Sequence, residues 1–96
     1  MVIQTNEKDF KGQTLQEYLN WKYPTREDKE RVKEIIVSKI REAREQAGIT
    51  EKLKGGRLDV REFKNLEKLD CPDNNLTSLN VNGLRELKEL FCKKKN

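Results

Sequence analysis

The stretch Leu58-Asp59-Val60-Arg61-Glu62-Phe63-Lys64-Asn65-Leu66-Glu67-Lys68-Leu69-Asp70-Cys71 returns 21 residues later as Leu79-Asn80-Val81-Asn82-Gly83-Leu84-Arg85-Glu86-Leu87-Lys88-Glu89-Leu90-Phe91-Cys92. At that offset Leu58 matches Leu79, Val60 matches Val81, Leu66 matches Leu87, Leu69 matches Leu90, Cys71 matches Cys92 and Asn75 matches Asn96. Phe63 and Leu84 keep the same register with similar side chains. Six identities in 18 aligned positions, nearly all apolar, are hard to reach by chance in a chain that is 33% hydrophobic. A fixed period of this length implies a repeat architecture, in which each unit buries its apolar side only against its neighbours. Such an array offers a surface rather than a reaction.

Within the first unit, Leu66-x-x-Leu69-x-Cys71-x-x-Asn74-x-Leu76 has the spacing of a leucine-rich repeat, with Cys71 standing at the third leucine position. Residues 67–71 are expected as a short parallel strand. Asn74 is expected to turn inward and bond the free backbone groups of its loop, which must be satisfied once buried. Leu76, Leu79 and Val81 would line the return side, and Phe63 and Leu84 the far corner. The second unit carries Lys95 where the first has Asn74, and it is expected to present an open face.

Upstream, residues 1–13 are polar and are expected as a flexible lead-in. Thr14 with Glu17 has the spacing of a capping box, so a short helix should begin there with Leu15, Tyr18 and Leu19 on its apolar side. Tyr23-Pro24 should end it, because proline disfavours helical geometry in the residue before it. Thr25 with Asp28 predicts a second helix over 26–47. Its apolar stripe would be Val32, Ile35, Ile36, Ile40, Ala43 and Ala47, and Gly48 would cap it. Gly55-Gly56 then reads as a hinge. The predicted class is α+β: a helical N-terminal cap over 14–57, then two leucine-rich repeats over 58–96, the second truncated, with a small parallel sheet.

The run from Leu58 to Val81, with Asn65-Leu66-Glu67-Lys68-Leu69-Asp70-Cys71-Pro72-Asp73-Asn74-Asn75-Leu76-Thr77-Ser78-Leu79 at its centre, resembles a short-repeat class of leucine-rich-repeat proteins found in bacteria and in mycorrhizal-type fungi. Gln16-Glu17-Tyr18-Leu19 and Lys22-Tyr23-Pro24 are similar to the stretch that precedes the repeats in the fungal families. The resemblance implies a protein-recognition module. Pro72 departs from the serine usual there, and the array is far shorter than is typical of the class.

Composition narrows the alternatives. Charged residues make up 40% of the 96, mean hydropathy is −1.01, and 21 basic residues against 17 acidic leave a net charge of +4. The positives are dispersed and do not line one face, which argues against a nucleic-acid footprint. A weaker reading would use Lys22, Arg26, Lys29, Arg31 and the tail Lys93 to Lys95 for that purpose. No apolar run approaches the ~20 residues of a membrane span, and the N-terminus has no apolar signal region. The many carboxylates fall on predicted solvent faces, so no catalysis is expected. Gly55-Gly56 lacks the spacing of a phosphate loop, and no cofactor is expected. Two cysteines without any histidine give no zinc set. Cys71 and Cys92 are expected as inward-facing core residues in a reducing, cytoplasmic setting, although stacked parallel strands would also bring them within disulfide reach.

The expected function is non-catalytic protein–protein interaction. The candidate contacts are the outward strand positions Glu67, Lys68, Asp70, Lys88, Glu89 and Phe91, and Phe91 is notable as an aromatic where the first repeat has Asp70. The alternative is self-association, with the open C-terminal repeat pairing with another chain.

Overall fold

Thr14 begins the first helix, α1 (Leu15–Lys22), as its spacing predicts. In the computed structural model, which describes residues 6–71 and 76–92, its hydroxyl accepts from Glu17 N at 3.1 Å, and Glu17 Oε1 accepts from the Thr14 and Gln13 amides at 3.1 Å. Those backbone donors hold the Glu17 carboxyl below its ordinary pKa. Tyr23 ends the helix, its N–H bonding Leu19 O. Leu15, Tyr18 and Leu19 are buried.

Residues 6–13, expected as a lead-in, fold onto this helix from Asn6 onward. A 3-10 turn at Glu7–Asp9 aims Glu7 at the Tyr18 hydroxyl, which donates to its carboxylate at 2.8 Å, with Lys22 Nζ 3.6 Å away. Burial, reinforced by this carboxylate, pushes the Tyr18 hydroxyl well above its usual range. Phe10 packs edge-on against Tyr18 and also meets Trp21.

The predicted helix over 26–47 is not one element. The Thr25 cap is present, but α2 spans only Arg26–Glu30. The chain then extends as β1 (Glu34–Ile36) and re-enters helix as α3 (Val37–Gln46). The cause is the β-branched cluster Val32, Ile35, Ile36 and Val37. Such side chains lose χ1 freedom in a helix and pack well on a pleated surface. A strand partner is also at hand, since Ile35 pairs with Leu69 and Lys33 O accepts from Glu67 N and Lys68 N at 2.7 and 3.1 Å. The three- and four-residue spacing that suggested a stripe survives only in α3.

Strands β2 (Gly56–Asp59), β3 (Lys68–Asp70), β4 (Leu76–Asn80) and β5 (Glu89–Phe91) complete the fold. They form two parallel sheets, β1-β3-β5 and β2-β4. The 21-residue sequence period is the pairing offset: Leu58 lies beside Leu79, Asp59 beside Asn80, Lys68 beside Glu89, Leu69 beside Leu90 and Asp70 beside Phe91. The turns repeat with it. Phe63 N donates to Val60 O and Leu84 N to Val81 O, at 3.0 and 3.2 Å. Asp59 Oδ1 accepts from Arg61 N, and Asn80 Oδ1 accepts from Asn82 N, both at 3.1 Å. These aspartate and asparagine acceptors fix the turns by side-chain-to-backbone bonding. Asn74, to which that work was assigned, lies outside the described residues, as do Lys93 to Lys95.

One apolar core joins the elements. Phe63, Leu66, Leu69, Val60 and Cys71 are fully buried against Leu15, Tyr18 and Ile35. α1 covers the outer edge of β2 in the manner of a strand. The Gln16 side chain accepts from Asp59 N at 2.6 Å and donates to Asp59 O at 3.1 Å, while Leu15 N bonds Lys54 O and Lys54 N bonds Gln13 O. Cys71 and Cys92 are joined in a disulfide, with Cα atoms 4.7 Å apart. The two core thiols expected from the sequence are therefore one covalent link between adjacent layers. No helix among the described residues is long and apolar enough to cross a membrane.

Candidate interaction surface

Alternation along the strands divides the sheet β1-β3-β5 into two faces. Ile35 and Leu69 point into the core, and both are buried. Glu34 and Ile36, Lys68 and Asp70, Glu89 and Phe91 point the other way. The registers arrange these six side chains in two rows across the strands: Glu34, Lys68, Glu89 and Ile36, Asp70, Phe91. The first row alternates in charge, with Lys68 Nζ 4.0 Å from Glu89 Oε2. The second sets Asp70 between two apolar side chains, Ile36 half-buried and Phe91 54% exposed.

Of the six predicted contacts, Lys68, Asp70, Glu89 and Phe91 lie together on this face. Glu67 and Lys88 fall just ahead of the strands. Glu67 is committed to the fold: its carbonyl accepts from Lys88 N and Glu89 N at 2.8 and 3.1 Å, and its carboxylate sits 3.7 Å from Lys33 Nζ. Glu34 and Ile36 were missed because their segment reads as helix. The signal that marks them is the β-branched run Ile35-Ile36-Val37.

Among the described residues β5 is the last strand of the sheet. Glu89 N donates to Glu67 O and Phe91 O accepts from Cys71 N, both towards β3. By the alternation of a parallel ladder, the N–H and C=O of Leu90 then face away from β3. The Leu90 side chain is 45% exposed, and no described strand lies beyond it.

The basic residues weighed for nucleic acid are dispersed. Lys29 is buried, its ammonium donating to Tyr23 O at 2.6 Å near the Phe63 ring. Lys22 lies against Glu7, and Arg31 is 3.8 Å from Asp28. Among the described residues no group of three or more cysteine or carboxylate side chains is placed to hold a metal ion.

Compared with protein-family models, curated proteins and solved structures, the chain matches none.

Proposed function

We propose that this protein is a non-catalytic protein–protein interaction module of leucine-rich-repeat type, in which α1 to α3 cap a short solenoid and the face of Glu34, Ile36, Lys68, Asp70, Glu89 and Phe91 meets a protein partner. The observation that carries the reading is Phe91. An aromatic ring more than half exposed beside a carboxylate and flanked by a charge row has the makings of a hot spot, since aromatic anchors dominate interface energetics. Paired affinity captures with the native chain and with Phe91→Ala test it. A true partner should be lost or weakened at least about tenfold in the variant, equivalent to ~1.4 kcal/mol, with the melting temperature unchanged. Equal recovery of every captured protein by both chains would refute it. A cytoplasmic setting is part of the proposal; a Cys71–Cys92 bond persisting in protein drawn from its native cells would argue for an oxidising one.

A second reading rests on Leu90. An open strand edge with an exposed leucine favours strand addition by another copy. Light scattering across a concentration series separates the two. A dimer that Leu90→Lys abolishes and Phe91→Ala leaves intact would support assembly, and a monomer at all concentrations would support recognition of a different protein.

A further inference from the structure

The second buried cation leads to a different site. α3 ends in a paired turn: Gly48 has φ +87°, its N–H bonds Glu45 O at 2.9 Å, and Ile49 N bonds Arg44 O at 2.8 Å. This doubly bonded stop turns the chain back along the helix. Residues 49–54 return beside α3, and a cleft of about 210 Å³ separates them. Val37 and Ile40 from the helix and Ile49 and Leu53 from the returning segment make it apolar.

Arg44 lines this cleft at 7% exposure. Its Nη2 donates to Glu51 O at 3.3 Å, and its guanidinium lies 5.7 Å from the Phe10 ring centre and 5.9 Å from that of Tyr18. No carboxylate among the described residues comes within ion-pairing distance of it. A guanidinium has five N–H donors, and a buried charge normally demands a partner. The two rings compensate in part, and the Glu51 carbonyl takes one of the five donors. Around it Arg41, Lys52 and Lys54 outnumber Glu45 and Glu51.

We infer that this cleft binds a small amphipathic acid, with a carboxylate on the Arg44 guanidinium and a short apolar tail among Val37, Ile40, Ile49 and Leu53. A planar carboxylate suits the guanidinium fork. The volume is below the ~300–1,000 Å³ of drug-sized pockets, so the ligand is small. The same chemistry is offered by a free short-chain acid and by the C-terminal residue of a peptide.

The test is a titration of the 15N-labelled chain with sodium hexanoate, N-acetyl-leucine, hexan-1-ol and acetate, followed by amide chemical shifts. Saturable shifts confined to residues 37–54 with hexanoate or acetyl-leucine, and at least tenfold weaker ones with hexanol and with acetate, are expected. Tighter hexanoate identifies the free acid and tighter acetyl-leucine a chain terminus. Because Arg44→Gln removes a buried, packed side chain and risks unfolding, Ile49→Trp serves as the second variant. It fills the cleft while leaving Arg44 in place, and should weaken binding at least tenfold. No saturable shift with either acid, hexanol binding as well as hexanoate, or an Ile49→Trp chain that binds normally would each overturn the inference.

Discussion

Leu69 and Leu90 occupy the same position of the repeat and lie side by side across β3 and β5, yet Leu69 is fully buried and Leu90 is 45% exposed. Leu69 has β1 on one side and β5 on the other, and Leu90 has a described neighbour on one side only. The same residue type in the same local geometry thus has two different energetic roles. One belongs to the core and the other lies half exposed on the last described strand.

That difference is measurable. Leu69→Ala should destabilise the chain by about 2–5 kcal/mol, the usual cost of a cavity in a packed core. Leu90→Ala should cost less than about 1 kcal/mol, because a half-exposed side chain surrenders little burial. Urea denaturation of the two variants checks this, and equal losses would contradict the exposure of the last layer.

The strand nature of β1 can be tested directly. Backbone chemical shifts of residues 34–36 should take extended rather than helical values, and helical shifts there would contradict the pairing of Ile35 with Leu69. Ile36→Ala should cost roughly 1 kcal/mol, for the strand packing and partial burial it loses.

Gly48 sits at φ +87°, and a Cβ there would meet only Lys8 Cε at 4.0 Å. The cost of Gly48→Ala is therefore one of backbone conformation, about 1–2 kcal/mol. Gly48→Asn should recover part of it, because asparagine tolerates the left-handed region. Thermal melts of the three chains should rank glycine, asparagine, alanine.

The Cys71–Cys92 bond closes a loop with a sequence separation of 21. A loop of that length constrains the unfolded chain by about 3 kcal/mol. Reduction, or Cys92→Ser, should lower stability by roughly that amount, with the largest rise in amide exchange at β5. The oxidised chain, unfolded in denaturant, should show no reactive thiol.

Acid should weaken the fold through identifiable groups. Glu17 is held below its ordinary pKa by the backbone amides of Gln13 and Thr14, and Asp59 by the Arg61 side chain. A carboxyl whose folded pKa is depressed contributes stability above its unfolded value and loses it as pH falls through the folded one. Stability should therefore drop on going from neutral pH to about pH 3. Glu17→Gln should be less stable at neutral pH and show a shallower drop.

Local chemistry made much of this legible in the sequence. The capping pairs Thr14–Glu17 and Thr25–Asp28, the stop at Tyr23-Pro24 and the glycine at 48 depend on neighbours within a few residues, and each is present. The strand expected over 67–71 is present at 68–70, and of the six expected outward positions Lys68, Asp70, Glu89 and Phe91 share the outer face, whereas Glu67 and Lys88 fall just ahead of the strands. The segment 31–37 did not, because apolar residues at three- and four-residue steps fit a helix and a strand alike until a pairing partner is known. Glu34 and Ile36 went unrecognised for that reason, and so did the cleft at Arg44, which exists only once residues 49–54 fold back on α3.

The sequence by itself determined the 21-residue offset, since equivalent leucines can all reach one core only if their strands stack in parallel at that spacing. Tertiary structure alone decided that Ile35 joins the sheet and that Arg44 is buried with no carboxylate of the described residues in ion-pairing range. Those outcomes depend on which surfaces close over one another, and the free energy of burial belongs to a contact between distant segments rather than to any residue within its own stretch of chain.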